Sequence, residues 1–137
     1  MHTHIKQLII VFIAAFFLNL LWENVHSYLY VHYQGGTITE LLLMKAALFD
    51  AFVTLVAAVL YIWVKPFKNR LDVTLGGLFA FAIGLELFAL ATLRWSYSSW
   101  MPTLPCLDVG ITPIIQLALL AYISFRVAGL LKKDKIR

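Results

Sequence analysis

Charged residues and cysteines are scarce in this sequence. Only 13% of its 137 residues are charged, whereas soluble domains carry about a quarter. So few charged side chains do not cover the surface of a soluble protein of this length. The single cysteine, Cys106, also excludes an intramolecular disulfide.

The sequence also lacks a signal-peptide cleavage site and the residue pattern of a nucleic-acid-binding surface. Lys6 precedes an apolar run that begins at Leu8, in the manner of a signal peptide. No small-residue cleavage site follows the run, so we expect a retained helix. The basic residues are not interleaved with aromatic residues as they are on nucleic-acid-binding surfaces, and we expect no nucleic acid partner.

Long apolar runs make up most of the chain. Hydrophobic residues account for 62% of it, and its mean hydropathy is +0.87. A membrane span requires roughly 20 apolar residues, and four runs meet this length. We predict an all-α integral membrane protein, a four-transmembrane-helix bundle that forms one domain over residues 1–137. The predicted helices cover about 5–30, 38–64, 72–94 and 112–131, and residues 95–111 form a cap on the outer side.

The distribution of basic residues predicts the orientation. If the chain crosses the membrane four times, the N-terminus, the loop at 65–70 and the C-terminus share one side. That side carries Lys6, Lys65, Lys68, Arg70, Arg126, Lys132, Lys133, Lys135 and Arg137. The opposite side has only Lys45 and Arg94. By the positive-inside rule both termini are cytoplasmic, and the basic side suits contact with anionic membrane lipid.

Each predicted helix contains buried polar residues. Asn19, Glu23 and His26 follow an i, i+4, i+7 spacing, which places them on one face of the first helix. The later helices contribute one residue each, namely Asp50, Glu86 and Gln116. Counting about 1.5 Å per residue places Asp50 near the middle of the bilayer and the others in its outer part. We therefore predict a polar pocket in the outer leaflet.

The predicted pocket residues fall into two groups. Those predicted to be catalytic are Glu23, His26, Asp50 and Glu86. Those predicted to bind a ligand are Asn19, Arg94, Trp95, Tyr97 and Gln116. Arg94 and Trp95 begin the cap and are expected at the mouth of the pocket.

The leading hypothesis is acid/base chemistry on, or binding of, a lipid-like or isoprenoid-like ligand from the outer side. A carboxylic acid kept neutral by burial, Asp50 or Glu86, donates a proton while a second carboxylate or His26 accepts one. Arg94 binds an anionic headgroup or phosphate. No serine or cysteine is arranged with a histidine as a nucleophile, so isomerisation or hydrolysis by carboxylate-activated water is favoured.

Three alternatives use the same residues. In a non-catalytic membrane subunit, Arg94, Glu86 and Glu23 form an ion network that fixes the helix register, with Asn19 and Gln116 bonded between helices. In a metal-binding module, Glu23, His26 and Glu86 hold a divalent metal, although the Glu23-x-x-His26 pair is single where di-iron bundles use two. In a transporter, the carboxylates relay protons or cations. No cofactor is firmly implied.

Small residues form a ridge on the third predicted helix. Gly76, Ala80 and Gly84 recur at i, i+4 and i+8, a pattern that lets another helix approach closely. That helix belongs either to the same bundle or to a second copy of the chain in a homodimer.

Several motifs occur together along the chain. They are Asn19-x-x-Trp22-Glu23, Asp50 in the second helix, Glu86 followed by Arg94-Trp95-x-Tyr97 and Met101-Pro102, and Gly110-x-x-Pro113-x-x-Gln116. With this combination the sequence resembles a family of small four-span bacterial inner-membrane proteins of unassigned function. The resemblance spans most of the chain and implies a multi-pass location in the bacterial inner membrane. It implies no activity.

Overall fold

A computed structural model describes residues 1–131, and within them the chain is mostly helical. The four helices are α1 (His2–His26), α2 (Glu40–Trp63), α3 (Leu71–Ala91) and α4 (Ile111–Val127). A 3-10 turn at Ser27–Leu29 leads into strand β1 (Tyr30–Tyr33), and strand β2 is Trp95–Tyr97. The orientation argument also used four basic residues that lie outside the described residues, namely Lys132, Lys133, Lys135 and Arg137.

The helix bounds differ from the predicted ones by a few residues at most ends. Helices α1, α2 and α3 are long and apolar enough to cross a membrane. Helix α4 is apolar but has 17 residues, and it ends at Val127 instead of continuing to 131. Gly129, with a φ of 67°, follows it in the left-handed conformation that commonly stops a helix.

The helices pack in the order α2, α1, α4, α3, so that α2 and α3 lie at the two ends of the series and touch each other little. Small side chains bring α1 and α2 together, since Ala15, Ala47 and Ala51 are completely buried. Larger apolar side chains such as Ile114 and Phe125 fill the core around α4. The sparse contact leaves a cleft along the line where α2 faces α3, which we call the α2/α3 cleft.

The ridge of small residues on α3 does not pack within the described chain. Gly76, Ala80 and Gly84 are all exposed, and a Cβ placed on either glycine would meet no atom within 4 Å. The inward face of α3 is instead the one that carries Leu78, Ala82 and Glu86. Of the two alternatives for the ridge, packing within the bundle is not seen among residues 1–131, where α3 turns Glu86 inward instead, and the homodimer stays a prediction.

The predicted cap is structured, but it contains a strand that the all-α prediction did not include. β2 pairs with β1 in an antiparallel two-stranded sheet, with Tyr30 opposite Tyr97 and Tyr33 opposite Trp95. The rest of the cap folds back at Leu104, whose N–H donates to the Val109 carbonyl at 2.9 Å. This sheet fixes the cap to the end of α1, next to the polar residues of the bundle.

Candidate functional site

The polar residues predicted inside the helices converge on one region below the cap. Asn19, Glu23 and His26 project from one face of α1, as their spacing predicted, and all three are buried. Asp50 of α2, Glu86 of α3 and Gln116 of α4 are buried as well. Each of these six side chains is at most 8% exposed, so their polar groups depend on one another for hydrogen bonds.

Gln116 is the centre of this arrangement. Its Nε2 atom lies 2.9 Å from Asn19 Oδ1, 2.9 Å from Glu23 Oε1 and 3.0 Å from Asp50 Oδ2. The Asn19 amide is itself oriented, because its Nδ2 donates to the Ala15 carbonyl at 2.8 Å. An amide nitrogen has two hydrogens to donate, one fewer than the three acceptors around it. Glu23 and Asp50 thus form a pair of neighbouring acids around one donor.

The second oxygen of Glu23 has its own partners. His26 Nε2 lies 3.3 Å from Glu23 Oε2, and the Tyr33 hydroxyl donates to the same oxygen at 3.3 Å. The other ring nitrogen of His26 lies 3.4 Å from the Thr112 hydroxyl. Thr112 is the second residue of α4, and its hydroxyl faces the site.

Glu86 is held from the cap. The indole Nε1 of Trp95 donates to Glu86 Oε2 at 3.1 Å, and the Tyr97 hydroxyl donates to the same oxygen. The Tyr97 oxygen in turn accepts from the Gly110 N–H at 3.0 Å. Strand β2 therefore supplies two neutral donors to a buried acid on α3.

Aromatic rings on the two strands pack together between Glu23 and Glu86. Tyr30 makes edge-on contacts with Tyr33, Trp95 and Tyr97, at centroid distances of 5.0, 6.3 and 5.5 Å. Burial raises the pKa of the Tyr33 hydroxyl, and the neighbouring Glu23 carboxylate raises it further. Burial likewise raises the pKa of Tyr97, and its hydrogen bond to Glu86 adds to the effect. Both hydroxyls therefore remain protonated donors over the physiological pH range.

A cavity of about 400 Å³ lies in the α2/α3 cleft, and we call it the polar pocket. Six predicted residues line it, namely Glu23, Asp50, Glu86, Arg94, Trp95 and Gln116. Three others, Asn19, His26 and Tyr97, do not line it but bond to residues that do. The predicted set thus separates into residues that face the pocket and residues that orient them.

The cations do not form the predicted ion network. Arg94 is exposed at the pocket and lies 5.4 Å above the Phe88 ring. Within residues 1–131 it makes no ion pair with Glu86 or Glu23, which are bonded to neutral donors and to His26. Lys45, also exposed, lines the pocket as well. The network proposed to fix helix register is absent there because the cap supplies the donors for Glu86.

The metal-binding alternative has no preformed ligand set in the part of the chain that the structure describes, where no three His, Cys, Asp or Glu side chains converge to hold an ion. Glu23 and His26 bond to each other, and Glu86 is bonded to the cap. A divalent metal remains a prediction, as does the transport alternative.

Sequence reasoning missed Tyr33 and Thr112 as parts of the site. Tyr33 ends the segment Tyr30-Val-His-Tyr33, which is rich in strand-forming residues. That run was the available signal for a strand, and its pairing with Trp95 brings Tyr33 to Glu23.

Comparisons with known proteins leave the function to be argued from this geometry. No family model, curated protein or solved structure matches the chain. The resemblance to small four-span proteins therefore stays a prediction, and the pocket itself carries the functional argument.

Proposed function

We propose that this protein is a multi-pass protein of the bacterial inner membrane with both termini in the cytoplasm. Three of its helices have the length and apolarity of membrane spans. Helix α4, at about 1.5 Å per residue, extends about 25 Å, which is close to the roughly 30 Å of a hydrocarbon core. The turn between α2 and α3 carries Lys65, Lys68 and Arg70 and belongs on the cytoplasmic side. In this orientation the polar pocket lies in the outer leaflet beneath the cap.

The function that we propose is binding of, and acid/base chemistry on, a lipid-like or isoprenoid-like ligand. The contact of two buried acids, Glu23 and Asp50, with one amide nitrogen at the wall of a cavity carries this proposal. An acid at the centre of a spanning helix costs roughly 2.5 to 3.5 kcal/mol on insertion scales, and such residues mark functional sites. The cavity, at about 400 Å³, falls within the usual range for small-molecule pockets.

Neighbouring carboxyl groups suit proton transfer. The protonated member of the pair donates while the ionised member accepts, so the two acids perform different roles in one site. We assign the donor role to Asp50 and the acceptor role to Glu23, which Tyr33 and His26 orient. Glu86 places a further carboxyl group on the α3 side of the pocket.

The mouth of the pocket suits an anionic headgroup. Arg94 and Lys45 both line the pocket and are both exposed. A guanidinium and an ammonium group bind phosphate oxygens through charge-assisted hydrogen bonds. The acids lie deeper in the pocket than these cations. A phosphate bound at the mouth therefore places the attached apolar portion of the ligand near the carboxyl groups.

Incubation with vesicles of bacterial lipid extract, followed by mass spectrometry of the lipids, tests this function. We expect the wild-type protein to convert one lipid species and Asp50→Asn to lose conversion by about 10² to 10⁴-fold, the usual contribution of a general acid. Glu40→Gln is the matched control, since Glu40 is an exposed acid on the same helix outside the pocket.

Lipid retention supplies the second measurement. The wild-type protein should keep its ligand through delipidation, and Gln116→Leu should lose it. Gln7→Leu, the same substitution at the far end of α1, should keep it. An unchanged lipid extract together with equal lipid retention by Gln116→Leu and the wild type would contradict the proposed function.

A further inference from the structure

A second cavity lies in the α2/α3 cleft, and we call it the apolar groove. It has a volume of about 350 Å³ and lies between Phe49 to Leu60 of α2 and Thr74 to Phe81 of α3. Phe49 lines both the groove and the polar pocket. The groove therefore continues the pocket along the same two helices, from the acids toward the turn between α2 and α3.

The lining of the groove is almost entirely hydrocarbon. Phe52, Val56 and Phe81 line it and remain 45 to 58% exposed. Thr74 contributes a hydroxyl, but that group is occupied, since it donates to the Arg70 carbonyl at 2.9 Å. Among residues 1–131, no charged side chain lines the groove. Its chemistry offers an occupant apolar contact alone.

The dimensions of the groove select the kind of occupant. From Phe49 to Leu60 the α2 wall is about 16 Å long at a rise of 1.5 Å per residue. With a volume of about 350 Å³ over this length, the groove is long and narrow. An elongated apolar groove suits a single extended hydrocarbon chain.

We infer that the apolar groove holds the hydrocarbon chain of a membrane lipid whose polar group occupies the polar pocket, and that this lipid enters sideways between α2 and α3. The inference rests on the proposed function and names its ligand class, an amphiphile with one chain seated against the protein. Because Phe49 lines both cavities, one molecule can place its polar part on one side of that ring and its apolar part on the other. The open side of both cavities, between two helices that hardly touch, gives the lipid a path from the bilayer.

Two adjacent glycines on α3 allow a matched test. Gly77 lines the groove, and a Cβ there would lie 3.7 Å from Phe67 Cε1, an ordinary contact. Gly76 is also exposed but does not line the groove, and a Cβ there would meet no atom of residues 1–131 within 4 Å. The measurement is lipid retained per chain by native mass spectrometry, after purification from membranes of phosphatidylethanolamine and phosphatidylglycerol.

Gly77→Trp should lower lipid retention at least about tenfold, because losing the burial of two methylene groups already changes affinity by that factor. Gly77→Ala and Gly76→Trp should retain lipid as the wild type does. Equal retention by Gly77→Trp and Gly76→Trp would overturn the inference, as would the absence of retained lipid from the wild type. A chain dimer that Gly77→Trp abolishes would overturn it too, by identifying a second copy as the occupant.

The pocket variant Gln116→Leu separates this inference from the proposed function. Loss of lipid in both Gly77→Trp and Gln116→Leu supports both. Loss of lipid in Gly77→Trp alone supports a site for a hydrocarbon chain in the groove but contradicts binding of the headgroup in the polar pocket. Loss of lipid in Gln116→Leu alone supports the polar pocket as a ligand site and overturns the inference about the apolar groove.

A second pair of variants tests the inference independently, in case Gly77→Trp does not fold. Val56 lines the groove from α2 and is 53% exposed, whereas Leu48 is 45% exposed on the same helix and lines neither cavity. Val56→Trp should reduce lipid retention, and Leu48→Trp should not. Retention by a folded Val56→Trp equal to that of Leu48→Trp would overturn the inference independently of α3.

Discussion

At the scale of single residues, the site uses neutral donors to hold buried acids. Gln116 donates hydrogen bonds to Glu23 and Asp50, and Trp95 and Tyr97 of the cap donate to Glu86. A fixed cation beside each acid would hold it ionised and make it a poor proton donor. Amide, indole and phenol groups satisfy a buried carboxyl group without adding a fixed positive charge, as the proposed proton transfer requires.

The tyrosine donors predict how stability depends on pH. Burial raises the pKa values of Tyr33 and Tyr97, so the folded protein keeps their protons where the unfolded chain, with a pKa of about 10, loses them. The folded state then binds more protons, and stability falls as the pH rises above about 10. We expect thermal unfolding in detergent to shift to lower temperature between pH 9 and about 11, less steeply in Tyr33→Phe and Tyr97→Phe.

An exposed tyrosine provides the control for this titration. Tyr28 is 83% exposed just before β1, and Tyr28→Phe should follow the wild-type pH profile. At neutral pH, Tyr33→Phe should cost roughly 1 kcal/mol because it removes one hydrogen bond to Glu23. Equal steepness in all four proteins above pH 10 would show that these hydroxyls do not couple to folding.

At the scale of elements, the β1–β2 sheet fixes the cap over the bundle and leaves open the α2/α3 cleft, the path that we propose for the ligand. His32 and Ser96 are paired across the two strands, a separation of about 4.5 to 5.5 Å between Cα atoms that a disulfide spans. In a Cys106→Ser background, we expect His32→Cys with Ser96→Cys to cross-link on oxidation. Because the proposed ligand enters sideways, the cross-linked protein should still bind and retain lipid.

A mispaired variant checks the register of this sheet. His32→Cys combined with Ser99→Cys, which lies outside β2, should cross-link far less.

Lipid exchange by the cross-linked His32→Cys, Ser96→Cys protein tests the path of the ligand. Loss of lipid exchange on oxidation of the paired cysteines, restored by reduction, would place the path through the cap.

The helices and most of the pocket could be predicted from sequence, because both follow from local patterns. The apolar runs predicted the helices, and the spacing of Asn19, Glu23 and His26 predicted a shared buried face. The pairing of Tyr33 with Trp95 joins segments far apart in sequence, and no local pattern specifies such a contact. The rotation of α3 that exposes Gly76 and buries Glu86 depends on its neighbours for the same reason.

At the scale of the whole molecule, orientation decides which leaflet holds the pocket. Cys106 is exposed in the cap, at the pocket end of the bundle, while Lys65, Lys68 and Arg70 lie in the turn at the other end. The positive-inside rule puts that turn in the cytoplasm, so a membrane-impermeant maleimide should label Cys106 in cells with a permeabilised outer membrane. Lys68→Cys in a Cys106→Ser background should label only after the inner membrane is opened. The reverse pattern would place the acids and their lipid in the inner leaflet.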